Sequence, residues 1–127
     1  LPIIFQHRVY RSDLQNNPDV LYLFGDNDER TGYGGQAGEM RDEENAVGVR
    51  TKFRPGMERR DFFNDSFYRD ACEMIYTDLE RAREHLEKGG VLVIPSDGLG
   101  TGLSRLPELA PRINAYLVEE LEKLKEL

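Results

Sequence analysis

The run Val20-Leu21-Tyr22-Leu23-Phe24 is apolar without a break, with Asp19 before it and Gly25-Asp26-Asn27 after it. A strand with one wet face alternates apolar and polar residues, whereas a strand covered on both faces does not. The run therefore predicts a central strand with other elements on both sides of its sheet. Val91-Leu92-Val93-Ile94 has the same character and predicts a second such strand. A glycine-dense segment follows each. Residues 3–10, rich in β-favouring side chains but poorly alternating, and Ala46-Val47-Gly48-Val49 add two more strands.

Helical periodicity fills the intervals. Phe67, Ala71, Ile75, Leu79, Ala82 and Leu86 recur at spacings of three and four, which predicts a helix over 66–88, capped by Asp65 or Ser66 and stopped by Gly89-Gly90. Ile113, Tyr116, Leu117, Leu121 and Leu124 predict a closing helix; Pro111 would clash inside it, so its regular part begins near Ala110. Residues 36–41 predict a short helix, and Ser12 to Gln15 form a capping-box pattern that Pro18 soon ends. Strand, glycine loop and helix in alternation indicate an α/β fold with a mixed, largely parallel sheet flanked by helices. Ligands of such sheets sit at the carboxyl ends of the strands, where both glycine loops should open. The 127 residues carry no repeat, low-complexity tract or proline-rich linker, so a single domain over 1–127 is expected.

A net charge of −7 opposes attraction to a nucleic-acid backbone or an anionic membrane, so neither is an expected general partner. No apolar run approaches the length of a membrane span. The lone cysteine, Cys72, has no partner for an internal disulfide, which fits a reducing, cytoplasmic setting. Acidity does not disfavour a small phosphorylated ligand, because backbone N–H groups at glycine loops bind phosphate without a basic domain.

The first loop contains Gly32-Tyr33-Gly34-Gly35-Gln36-Ala37-Gly38 and the second Ser96-Asp97-Gly98-Leu99-Gly100-Thr101-Gly102-Leu103. Glycine lets backbone approach a ligand and lets successive N–H groups face one anion. A single glycine cluster reads equally as a connecting turn; two clusters behind two buried strands are harder to assign to turns alone. Neither loop has the lysine of a Walker motif, and Gly98-Leu99-Gly100 lacks the third glycine of a dinucleotide fingerprint.

Gly34-Gly35-Gln36-Ala37 ahead of a helix, Thr51-Lys52 soon after a strand, and Ile94-Pro95 followed by Gly98, Gly100, Gly102, Leu103 and a terminal helix together resemble the macrodomains. The resemblance spans 21–124 and is closest to the branch with ADP-ribosyl-DNA and ADP-ribosyl-glutamate hydrolases. It implies a three-layer α/β/α fold that binds ADP-ribose or a related NAD-derived nucleotide. By that likeness Gly34, Gly35, Gln36 and Ala37, with Ser96, Gly98, Leu99, Gly100, Thr101 and Gly102, would cradle the diphosphate. Asn27 would reach the distal ribose. The hydrolase branch uses a lysine after a strand, matched by Lys52, and an aspartate in a Gly-Leu-Asp-Arg-Leu string. Here the string is Gly102-Leu103-Ser104-Arg105-Leu106, with Ser104 in the acid's place and Asp97 as the substitute in the same loop.

Other readings stand beside these. Lys52 lies among Arg50, Arg54, Arg59 and Arg60 and reads equally as part of a solvated basic stretch. Asp26 suits an adenine amino group or a turn cap. His7 and His85 lie apart without ligand spacing, so no metal site is expected, and no cofactor is implied. Burial on the long helix accounts for Cys72. Phe62, Phe63, Phe67 and Tyr68 read as core packing. The expected function is binding of ADP-ribose or a related nucleotide; the alternative is a hydrolase that removes ADP-ribose from a modified nucleic acid or protein, and the third is an interaction domain with empty loops.

Overall fold

The computed structural model describes residues 2–127. Its sheet runs in the order β1 (Ile3–Gln6), β4 (Val91–Pro95), β2 (Val20–Asn27) and β3 (Ala46–Lys52), and all three pairings are parallel. An isolated antiparallel bridge joins Lys52 to Phe62. The two apolar runs occupy the two inner strands. Side chains alternate along each strand, so a continuous run feeds two cores at once. Leu21, Leu23, Leu92 and Ile94 enter the larger core with α3 (Tyr68–Asp78), α4 (Glu80–Glu87) and α6 (Pro111–Leu124). Tyr22, Phe24 and Val93 enter the smaller core with α1 (Arg11–Asn16) and α2 (Ala37–Met40). The result is a three-layer α/β/α fold.

The expected helix over 66–88 is interrupted. A turn of 3₁₀ helix at Asp65–Phe67 precedes α3, and Leu79 separates α3 from α4. Leu79 joins the two ladders: its N–H meets the Ile75 carbonyl at 3.1 Å at the end of α3, and its carbonyl accepts the Arg83 N–H at 3.0 Å at the start of α4. Ala71, Ile75, Leu79, Ala82 and Leu86 therefore keep one buried stripe across the bend. The Arg83 guanidinium donates to the Tyr76 carbonyl at 2.8 Å, a side chain inserting into the ladder as helix bends require.

The caps also differ from expectation. Asn64, rather than Asp65 or Ser66, accepts the Ser66 N–H at 2.9 Å. Asp65 instead takes the Arg112 and Ile113 N–H groups at 3.0 and 3.1 Å, capping α6 from a distant part of the chain. The α1 cap lies at Tyr10, whose N–H meets the Asp13 carboxylate at 2.9 Å, ahead of the expected box at Ser12.

Leu23, fully buried in β2, should cost about 2–5 kcal/mol when replaced by Ala, and Asp65→Ala about 1 kcal/mol through the lost cap. Urea unfolding should show both as lower midpoints with an unchanged slope.

Candidate functional site

The chain leaving β2 runs to α2 on the smaller-core face, whereas the chain leaving β4 runs through α5 (Leu106–Leu109) to α6 on the other face. Neighbouring parallel strands whose connections diverge leave a crevice at their carboxyl ends. Both glycine loops open there. The crevice comprises a hollow of about 80 Å³, reaching Asn27 and Lys52, and one of about 260 Å³ against the second loop. Gly25, Gly34, Leu103 and Ser104 line both. Gly25 is required where the loops approach, because any Cβ there would collide with the Leu99 carbonyl oxygen.

Segments expected as loop prove to be strand. β2 continues through Asn27 and β3 through Lys52, and these two residues are partners in register. Asp26 pairs with Arg50, so Thr51 is the extra residue of a bulge. Along an unbroken strand Arg50 and Lys52 would share a face; a bulge re-aims the residue beyond it. Arg50 accordingly grips Asp78 with Nε and Nη2, each at 2.9 Å, and Asp28 at 3.1 Å. Lys52 lines the smaller hollow.

Lys52 is 5 % exposed. Its ammonium donates to the Gly56 carbonyl at 2.8 Å and lies 4.3 Å from the Phe62 ring centroid. Burial lowers its pKa from the ordinary 10.5, with the Asp61 charge partly opposing the shift. The neighbouring arginines do not cause this, since Arg50 is engaged by Asp78 and Arg54 by Glu29 and Asp61. Asn27, 6 % exposed, donates from Nδ2 to the Thr31 carbonyl at 2.7 Å, which fixes the orientation of its amide. Its Oδ1 is buried without a hydrogen-bond partner, alone among the side-chain atoms of the described residues. Such an acceptor is costly to leave empty and suits a ligand hydroxyl or N–H.

The other expected residues divide into those that face the crevice and those that build it. Gly34 and Ala37 line the smaller hollow; Gly34, Gly35, Gln36, Gly98, Leu99, Thr101 and Gly102 line the larger. Among the described residues, no protein acceptor takes the N–H groups of Gly34, Gly35, Gln36, Leu99 or Thr101. The Gln36 side chain is a fastener, accepting from the Val9 N–H at 3.1 Å and donating to its carbonyl at 3.3 Å. Ser96 lines neither hollow and extends the sheet, its N–H meeting the Gln6 carbonyl at 3.0 Å.

Besides Ser96, three further expectations need correction. Gly100 does not border the crevice: a Cβ there would stand 2.9 Å from the Leu106 side chain, so this glycine serves packing against α5. Asp97 is not joined to Lys52; it is exposed in the larger hollow, 3.6 Å from His7 Nδ1. Asp26 has no carboxylate oxygen to spare for adenine. Arg41 Nη2 lies 2.5 Å from Oδ1, Arg30 Nη1 3.1 Å from Oδ2, and the Asn27 N–H also meets Oδ1 at 2.8 Å. Ser104, in the place of the expected acid, is 2.5 Å from the Thr51 hydroxyl, which donates to the Asp26 carbonyl at 3.3 Å. Cys72 is only half-buried, and burial raises its pKa. Gly25, Thr31, Arg41 and Pro55 line the smaller hollow without having been expected there, and Leu103, quoted only as part of the second loop's motif, borders both hollows.

No group of three His, Cys, Asp or Glu side chains suited to a metal occurs among the described residues. No helix among them is long and apolar enough to cross a membrane. A family of unknown function (DUF7831) matches residues 4–120. No curated protein and no solved structure matches the chain.

Removing one partner of a buried ion pair strands the other, so Asp26→Ala should cost about 3–5 kcal/mol. Gly100→Val should cost about 1–3 kcal/mol through overpacking rather than through any lost contact to a ligand. Differential scanning fluorimetry without ligand would register both as lowered Tm.

Proposed function

The chain belongs to that family of unknown function, DUF7831, so the function must be read from its own site, and we propose that it binds ADP-ribose or a related NAD-derived nucleotide. The observation that carries this reading is the buried, unpartnered Asn27 Oδ1 beside Lys52, at one end of a crevice between two glycine loops. A sugar hydroxyl satisfies the Asn27 acceptor, and loop N–H groups without protein acceptors receive a diphosphate. The macrodomain resemblance supports the same reading. A lone, half-buried Cys72 suits a reducing compartment, and we place the protein in the cytoplasm.

ADP-ribose at a hundred times its Kd should stabilise the fold by about 2.7 kcal/mol, visible as a rise in Tm. Silence at millimolar ADP-ribose, with other nucleotides also silent, defeats this reading.

One observation favours the alternative, an ADP-ribosyl hydrolase: a lysine whose pKa is lowered by burial is a better nucleophile. Asp97, in the other hollow, is not positioned to assist it. For the binding reading, Lys52→Ala should weaken ADP-ribose binding about ten-fold, the value of one charge-assisted contact, with no ADP-ribose released from modified DNA or peptide by either protein. Calorimetry and a release assay test the two halves; turnover that depends on Lys52 establishes the hydrolase instead.

The direction of the Lys52 shift also sets a pH dependence. The ammonium loses its proton below the ordinary 10.5, so affinity for an anionic ligand should fall as pH rises through that lowered value. The same sign makes the lysine's charge a cost to folding at lower pH that is relieved on the way up. A titration of affinity against pH should show the decline in the natural protein and none in Lys52→Ala.

A further inference from the structure

We propose that Leu103 is a specificity-determining bar across the crevice, which admits two-ended ligands joined by a narrow linker only when the side chain rotates away. The proposal rests on the nucleotide-binding reading above and deepens it. Leu103 borders both hollows, and its side chain is half exposed. Its Cδ1 lies over the opposite loop: a Cβ built at Gly34 would stand 3.0 Å from it, and one at Gly35 3.6 Å. The leucine methyl thus sits close against the first loop, tightly at Gly34 and in ordinary contact distance at Gly35, from a residue that borders both hollows.

The backbone beneath the bar is held. Ser104, the next residue, is bonded to Thr51 at 2.5 Å, and the Leu106 N–H reaches the Gly100 carbonyl at 2.8 Å. Arg105 is paired with Glu108 at 2.7 Å. Rotation of this one half-exposed side chain, a fast motion, suffices to open the way without breaking these contacts. A ligand that fills only the larger hollow leaves Leu103 in place. A ligand reaching Asn27 from the larger hollow passes its linker through the space that Leu103 occupies, and the leucine opposes it.

Calorimetry with the full chain, using ADP-ribose as the two-ended probe and AMP as the single-ended one, tests this. Leu103→Ala should tighten ADP-ribose binding about three- to ten-fold and change AMP binding by a clearly smaller factor. Leu103→Phe should weaken ADP-ribose by a similar factor, with AMP again affected less. Equal effects on both ligands, or weaker ADP-ribose binding by Leu103→Ala, overturn the bar while leaving the binding reading intact. Binding of ADP-ribose by Leu103→Ala alone supports the bar. Silence of the natural protein and both variants toward both probes removes the nucleotide reading and the bar with it. Circular dichroism of each variant establishes that the comparison is between folded proteins.

Discussion

A carboxylate sealed at the end of a central strand is tolerable only while cations meet it, and Asp26 is in that position, 5 % exposed. Arg41 and Arg30 both reach it, and each carries a second duty. Arg41 also holds the Gly32 and Thr31 carbonyls, at 2.7 and 3.1 Å, and so fixes the first glycine loop. Arg30 holds the Gly48 carbonyl at 2.7 Å and Asp78 at 2.8 Å, tying the edge strand β3 to α3. Buried ion pairs contribute little net stability compared with well-packed apolar groups. What this one contributes is position: the wall of the crevice follows from where a single carboxylate must be neutralised.

The bulge at Thr51 lies in β3, beside the end of β2 that carries Asp26. Thr51 is fully buried, bonded to Ser104 and to the Asp26 carbonyl, and the extra residue separates the fates of Arg50 and Lys52. Arg50 joins the ion network behind the sheet edge, and Lys52 is delivered to the crevice with Phe62 against it. The Thr51–Ser104 bond also ties the end of β3 to the second loop. Strand end, first loop and second loop are thereby joined by a few contacts, made by Asp26, Arg41, Thr51 and Ser104.

Glycine, in this protein, marks two different needs. At Gly25 and Gly100 a side chain would strike the Leu99 carbonyl or Leu106, so these positions let protein approach protein. At Gly34 the neighbour is the end of the flexible Leu103 side chain, and at Gly35 a φ of +57° favours glycine whatever the space. A string of glycines does not distinguish them, because the difference lies in what stands opposite each one.

Read alone, the chain specifies the four strands, the sheet's burial on both faces and the two loops at its carboxyl edge, because burial imprints a local period on the sequence and glycine clusters mark where the backbone must turn. The macrodomain resemblance singled out Asn27 and Lys52, but no local pattern distinguishes Lys52 from the arginines around it. The assembled fold specifies the rest. Asp26 meets Arg41, 15 residues away, and Ser104 meets Thr51, 53 residues away. Gly100 looks in sequence like its loop neighbours and faces the interior, and Leu103 borders both hollows of a crevice that exists only once β2 and β4 are adjacent. Apolar pattern encodes which surfaces are hidden from water; which polar group meets which is a property of distances that no local period records.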